Sequence, residues 1–307
     1  MTIAITGGTG FVGQAVLDEA ARRGLAVRAL ARRVQAPRAG VEWIAGDLAD
    51  RAALARLVEG AHAVVHIAGV INAPDAAGFH AGNVAGTEAL VEAAQATGTP
   101  RFICVSSLAA REPGLSDYGA SKRRAEQVVE GSALDWTIVR PPAIYGPRDH
   151  EFLELFRAAR WGLVPVPPRG GRASMLHVDD LARLLLDLAP HPVSGGAAGR
   201  GSVFEPDDGR AGGWAHGELG QAIGAALGRR VWTPHVPRGV LAAAARVDRL
   251  VRGSGAKLTP DRASYMAHPD WVSNPARKVP PELWQPVIET RAGLAETARW
   301  YRDAGWL

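Results

Sequence analysis

The chain has one cysteine in 307 residues, Cys104, set in the apolar run ArgPheIleCysVal. A lone thiol excludes an internal disulfide, and its surroundings make it a buried, inert side chain rather than a nucleophile. No apolar stretch approaches the roughly 18 residues that span a bilayer. The N-terminus begins at once with a strand and a glycine turn. The expectation is a cytoplasmic protein with no membrane partner. CxxC, HExxH and similar ligand spacings are missing, so no metal site is expected. Aromatic residues make up only 6%, and 35 Lys+Arg against 31 Asp+Glu leave a net charge of +4. The arginines are dispersed, with no dense basic tract and no interleaved aromatics, which argues against nucleic acid. At 47% hydrophobic and 21% charged, the remainder is an ordinary globular composition with enough length to bury a substantial core.

Glycine, by contrast, is plentiful and placed with meaning. ThrGlyGlyThrGlyPheValGly runs from 6 to 13. It lies between an apolar strand at Ile3–Thr6 and a helix over Phe11–Arg23 with apolar residues at helical spacing. Gly7, Gly10 and Gly13 suit a turn that needs positive φ, close backbone approach to a pyrophosphate, and tight packing of helix on sheet. Thr9, Phe11 and Val12 share the same cofactor-binding turn. A glycine-rich turn that merely closes a strand is the alternative, and the motifs further along the chain decide between the two.

Further strands are expected at Ala26–Ala31, Val41–Ala45, Ala63–Ile67, Phe102–Ser106 and Trp136–Arg140. Helices are expected at Ala52–Glu59, Asn83–Thr97 and Ser116–Gly131. This alternation predicts an α/β, Rossmann-type doubly wound parallel sheet, with ligands beyond the carboxyl ends of the strands. Residues 1–160, with 174–206 returning, are expected to form the NAD(P)-binding domain. A small C-terminal substrate lobe takes 207–307 together with 161–173.

The end of the second strand bears on which dinucleotide is held. An Asp or Glu about 20 residues past the glycines would favour NAD; here Arg32 and Arg33 stand there. An arginine facing a 2′-phosphate makes a charge-assisted contact worth about 1.5–3 kcal/mol, so NADP is favoured and NAD is the alternative. Asp47, in GlyAspLeu with Leu48, either accepts from the adenine amino group or caps the helix starting near Asp50.

The chemical signal is TyrGlyAlaSerLys, Tyr118–Lys122. Positions i and i+4 share a helix face, so phenol and ammonium would meet in one cleft. Bringing a tyrosine from pKa ~10 to ~7 takes about 4 kcal/mol. An ammonium at ~4 Å and an effective dielectric of ~20 supplies about that much. The pair can therefore serve as a general acid/base. Ser107, at a strand end, is placed to hydrogen-bond a substrate oxygen or to cap a turn. Asn83 is either a helix N-cap or part of a proton relay.

These motifs together resemble the extended type of the short-chain dehydrogenase/reductase superfamily, the NAD(P)-dependent epimerases, dehydratases and reductases. The matching segments also include HisIleAlaGly (66–69), AsnValAlaGlyThr (83–87), ValSerSer (105–107), ArgProProAlaIleTyrGlyPro (140–147) and LeuHisValAspAspLeuAla (176–182). The resemblance implies Tyr118 as acid/base, with Lys122 binding the nicotinamide ribose and lowering the tyrosine's pKa. It implies Ser107 polarising the substrate oxygen, Asn83 supporting a water relay, and Ala68, Gly69, Pro141 and Ile144 lining the cofactor. It also implies a homodimer through helices such as 83–97 and 116–131. The stretch between Ser107 and Tyr118 is short for the extended type, and LeuAlaAlaArg stands where a substrate-contacting Tyr-Gly often occurs, which counts against nucleotide-sugar substrates. Asp179 reads as the N-cap of an apolar helix.

The second half carries fewer signals. Loops are expected over 190–201 and 206–213, and a break between apolar helices at 252–255. Eight of the nine tryptophans lie after residue 135, to line an apolar pocket or to fill gaps in an alanine-rich core. The leading expectation is an NADPH-preferring oxidoreductase acting on the carbonyl or alcohol carbon of a fairly apolar small molecule. A sugar-nucleotide epimerase or dehydratase with bound NAD is one alternative, and a non-catalytic NADP-binding sensor or assembly protein is another.

Overall fold

Apolar runs of the first half become neighbours in one sheet. The computed structural model describes residues 1–189, 201–256 and 258–307. The strands are β1 (Thr2–Thr6), β2 (Ala26–Ala31), β3 (Val41–Ala45), β4 (Ala63–His66), β5 (Arg101–Val105) and β6 (Asp135–Val139). The order across the sheet is β6-β5-β4-β1-β2-β3, with the short strand Ser202–Phe204 outside β6. All pairings are parallel. The chain runs outward from β1 to β3, then crosses to β4 on the other flank of β1, so the switch point lies between the carboxyl ends of β1 and β4.

The connecting helices are α1 (Phe11–Arg22), α2 (Arg51–Val58), α3 (Ala76–Phe79), α4 (Gly86–Ala96) and α5 (Asp117–Glu130). Side-chain caps start three of them: Asp50 accepts from Ala53 N–H, Asp75 from Gly78 N–H and Ser116 from Gly119 N–H. One face of the sheet gives Ala4, Val64, Phe102 and Ile138 to a core with Leu54, Leu57, Leu90 and Val129. On the other face Ile3, Ile5, Val65 and Ile103 are fully buried as well. Burial on both faces is what permits a parallel sheet, and it explains why these strands read as continuous apolar runs.

The helix expected to open at Asn83 differs. It begins at Ala76, passes through a π-helical turn over His80–Ala85, and becomes regular only at Gly86. The wider turn shifts the register, so 3.6-residue spacing is visible only beyond Asn83.

Contacts divide the chain into two units. The first holds the sheet and comprises Met1–Pro141, Leu181–Glu205 and Arg277–Gln285; the second comprises Pro142–Asp180, Pro206–Ala276 and Pro286–Leu307. The second unit has a three-stranded sheet of Trp214–Ala215, Arg172–Ala173 and Asp270–Trp271, and a parallel pair of Ala143–Tyr145 with Met175–His177. Its core gathers Tyr145, Phe156, Val164, Trp214, Ile223, Leu294 and Tyr301. Asp179 is not the helix cap expected of it. The helix Val178–Asp187 starts one residue earlier, and the His177 ring accepts from Asp179 N–H through Nδ1. The loop expected at 190–201 lies, apart from Gly201, outside the described residues.

Candidate active site

Thr6 of β1 and His66 of β4 pair across the switch point, and the glycine turn fills the crevice beyond them. Gly7 has φ +75, and a Cβ there would sit 2.7 Å from Ala68 N; a Cβ on Gly13 would sit 2.0 Å from Gly7 O. Neither position tolerates a side chain, so the backbone itself forms the wall. Gly10, the N-cap of α1, supplies no side-chain cap, which leaves the first-turn N–H groups around Phe11, Val12 and Gly13 for an anion. Thr9 and Gly10 are exposed beside them. A cradle that any Cβ would fill, facing an uncapped helix N-terminus, fits the pyrophosphate of a dinucleotide.

Arg32 and Arg33 are both exposed at the end of β2. Nearby arginines are already engaged: Arg28 with Glu42, and Arg38 with Gln14 and Asp18. Asp47 does not cap α2, the second of the two roles open to it. Its Oδ1 accepts from Ala49 N–H at 2.8 Å while Asp50 provides the cap, because the chain makes a local Asx turn before the helix begins. Leu48 packs over Gly86 of α4, where a Cβ would meet it at 2.6 Å.

A directional chain of hydrogen bonds runs under the crevice. Ala68 N–H donates to Thr6 Oγ1 (3.2 Å), and Thr6 Oγ1 lies 2.7 Å from His66 Nδ1. His66 Nε2 lies 2.9 Å from Thr87 Oγ1, whose hydroxyl donates to Asn83 O at 2.6 Å. Since Thr87 spends its proton on Asn83, His66 donates from Nε2 and accepts from Thr6 at Nδ1. Burial, aided by the Lys122 charge, pushes His66 down to about 3, so its ring is neutral, as this arrangement requires.

Asn83 is not a helix cap. It is buried inside the π-helical turn, where Oδ1 accepts from Val70 N–H (2.7 Å) and Nδ2 donates to Val70 O (3.0 Å) and Ser121 Oγ (2.9 Å). Its side chain is thus spent on holding the segment after β4. A Cβ on Gly69 would lie 2.9 Å from Asn83 Oδ1 and 3.1 Å from Lys122 Nζ. A cavity of about 10 Å³, room for one water, is lined by His66, Asn83, Thr87, Ser106 and Lys122 among others.

Ser107 and Tyr118 come together. Ser107 caps the short 3-10 turn Leu108–Arg111, accepting from Ala109 N–H, and is hydrogen-bonded to the Tyr118 phenol. Lys122, on the same face of α5, is buried and donates from Nζ to Val105 O at 3.1 Å. The lowering of the tyrosine pKa by this lysine is not what the structure shows. Burial pushes the phenol up, and only the Ser107 hydrogen bond pulls it the other way. Lys122 is itself pushed down by burial, against the pull of Cys104 and Glu126. Cys104 is driven up to about 12 by burial, which fits an inert thiol.

Sequence reasoning missed a buried ionic cluster next to this pair. Ser106 Oγ donates to Glu126 Oε1 at 2.6 Å, and Arg140 grips Glu126 bidentately with both contacts at 2.7 Å. Arg140 and Arg111 also reach Glu205, at 3.4 and 3.3 Å. Glu126 and Glu205 are fully buried. Glu126 lies four residues past Lys122, so the loop carrying Ser106 and Ser107 is tied to the helix carrying Tyr118 and Lys122. A glutamate on the inner face of an amphipathic helix was the available signal. Pro141 is buried and accepts from Leu108 N–H, whereas Ile144 belongs to the second unit, in the strand Ala143–Tyr145.

A family model described as NAD(P)H-binding matches residues 7–191. The chain belongs to this NAD(P)H-binding family, and its reductase relatives make it one of the short-chain dehydrogenase/reductase type. It is similar, at 39% identity across 99% of its length and 96% of the relative's, to a ceramide reductase of Caulobacter vibrioides. It is also similar to a 2-alkyl-3-oxoalkanoate reductase of Stenotrophomonas maltophilia, at 32% identity over 66% of this chain and 69% of that one. Among solved structures, MoeE5 in complex with UDP-glucuronic acid and NAD superposes with a TM-score of 0.74 over 99% of both chains at 23% identity, a likeness of fold. The chain is thus an NAD(P)-dependent oxidoreductase of the short-chain type. No helix among the described residues is long and apolar enough to cross a membrane.

Proposed function

We propose that this short-chain reductase uses NADPH to convert the ketone of a long-chain lipid of the ceramide class into a secondary alcohol. The observation that carries the chemistry is the Ser107–Tyr118 hydrogen bond beside a buried Lys122. The substrate class rests on near full-length similarity to the ceramide reductase, with the 3-oxoalkanoate reductase as a second carbonyl-reducing relative.

The glycine turn and the first turn of α1 would hold the pyrophosphate, and Arg32 and Arg33 the 2′-phosphate. Lys122, with N–H groups left beyond its bond to Val105 O, would take the ribose hydroxyls, for which the bare Gly69 leaves room. NADPH bound there would supply hydride to the carbonyl carbon. Ser107 Oγ orients the carbonyl oxygen. As the C=O π pair collapses onto that oxygen, Tyr118 Oη gives it a proton, and the product is the neutral alcohol. A phenol whose pKa burial holds up is protonated at neutral pH, the state a proton donor needs. Lys122, four residues along the same helix and lining the small cavity, would give Tyr118 a route to recover its proton.

The sugar-nucleotide reading has only the fold in its favour, and two arginines replace the carboxylate that NAD would use. The test is NADPH consumption with the keto form of a ceramide, an N-acylated long-chain amino alcohol whose secondary hydroxyl is oxidised to a ketone, in detergent micelles, set against a UDP-sugar with NAD. Turnover of the lipid ketone supports the proposal; turnover of the UDP-sugar alone overturns it.

A further inference from the structure

The helix Arg238–Arg252 of the second unit is an exception among the longer helices, because Ala245 is its one buried residue. Val240, Val247, Leu250 and Val251 are exposed, Leu250 at 86% and Val251 at 77%. At 100° per residue, Val240, Ala243, Ala244, Val247, Leu250 and Val251 fall on one stripe about a third of the helix circumference wide. A soluble helix normally buries such a stripe, and this one points it outward.

The rest of the helix is basic. Arg238, Arg246, Arg249 and Arg252 are all exposed. The sole acid, Asp248, is already occupied by Arg252 and by Leu258 N–H. Just before the helix, Arg229 and Arg230 are exposed, as is Trp232 at 72%. Backbone pairing of Val164 and Gly162 with Trp232 brings the segment at 161–164 beside it, and Trp161 is 89% exposed. An apolar stripe, a cationic opposite face and exposed tryptophans are the marks of a helix lying in a membrane interface, with rings at headgroup depth. A helix is about 10 Å thick, so its far-side arginines stay within roughly one Debye length of the surface on which the stripe lies.

We infer that the helix Arg238–Arg252 docks the protein on an anionic phospholipid surface, with its Val/Leu stripe in the interface and its arginines drawn by the lipid charge. A surface-lying helix needs no spanning run, and the inference replaces the expectation that the protein has no membrane partner. It stands on surface chemistry alone. Where the lipid-reductase reading also holds, docking brings the enzyme to the phase in which its substrate is dissolved.

The test is sedimentation of the full chain with vesicles of phosphatidylglycerol and phosphatidylcholine, and with phosphatidylcholine alone, with no substrate present. Each arginine near an anionic surface strengthens binding about fivefold. The expected result is binding to the anionic vesicles that weakens with salt. R246E/R249E should lower it by about 30-fold or more, and V247D/L250D should abolish it. Circular dichroism and unchanged NADPH affinity serve as the check that both variants fold. The inference is overturned if wild type sediments with neither vesicle, or if V247D/L250D sediments as well as wild type. It is equally overturned if light scattering shows a dimer that V247D/L250D splits while vesicles bind neither, which would make the stripe a self-association face. NADPH turnover of a micellar ketone is measured separately, so failure of docking leaves the reductase reading intact and the reverse.

Discussion

In the first unit the buried polar groups of the site are held by partners: His66 between two threonines, Asn83 across Val70 and Ser121, Glu126 by Arg140 and Ser106. Outside its site the first unit also leaves Glu19 Oε2 without a hydrogen bond and exposes Val34 and Ile71, but among the described residues the second unit holds more of both kinds. His177 Nε2, His216 Nδ1 and Ser273 Oγ are buried with no hydrogen-bond partner among the described residues, while Trp161, Trp232 and Leu250 stand in solvent. Interior polar groups that are fully paired fix geometry, and this is what hydride and proton transfer need. Unpaired interior atoms and exposed apolar side chains give up stability for adaptability or for a partner. On the two proposals, chemistry belongs to the first unit and contact with lipid to the second.

The sharpest way to break that comparison is to remove Glu126. E126A leaves Arg140 buried against Glu205 alone and should cost about 3–5 kcal/mol, read from denaturant unfolding. A loss below about 1 kcal/mol would mean the cluster is not the rigid tie described. Next in size are the arginines at β2. R32A/R33A should raise the KM for NADPH about 10- to 100-fold, as expected for charge-assisted contacts of about 1.5–3 kcal/mol, and leave the KM for NADH unchanged. Equal effects on both cofactors would remove the 2′-phosphate role.

Acid titration separates the units by sign. His66, pushed down to about 3, stays neutral in the fold, so the unfolded chain binds the extra proton. Its contribution is complete above about pH 6.5 and is lost as pH falls, by about 2 kcal/mol at pH 5. Asp149 in the second unit, a buried helix cap, is pushed up to about 7 by burial. Its contribution is present at low pH and is lost as pH rises toward 7, by about 2 kcal/mol or more between pH 5 and 7. H66Q should therefore remove an acid-side loss of stability and D149N an acid-side gain. Identical slopes in both variants would contradict the assignment. The smallest effect is expected at the exposed rings, where W161A and W232A should each change stability by less than about 0.5 kcal/mol.

Legibility in the sequence follows the same division. Strands β1 to β6 are legible to within a residue or so, β1, β4 and β5 because both of their faces are buried and their runs are mostly apolar, and the edge strand β3 by its apolar residues alternating with the exposed Glu42 and Ala45. Tyr118 and Lys122 stand out because i, i+4 spacing is a local signal. The setting of Asn83 is hidden because a π-helical turn leaves no mark in 3.6-residue periodicity, and the cap made by a histidine ring at His177 follows no common rule. His66 and Glu126 do not show as site residues because their partners, Thr87 and Arg140, are distant in sequence. Strands of two or three residues in the second unit are too short to show alternation at all.

The central claim is that Tyr118 protonates an oxygen whose carbon receives hydride from NADPH. The direct measurement uses NADPH deuterated on the transferring face of the nicotinamide ring with the lipid ketone. Wild type should place deuterium on the new carbinol carbon. Y118F should lower kcat about a thousandfold, within the range for loss of a general acid, with NADPH affinity and melting temperature unchanged. Undiminished deuterium transfer by Y118F, or product alcohol without deuterium from wild type, would contradict the account.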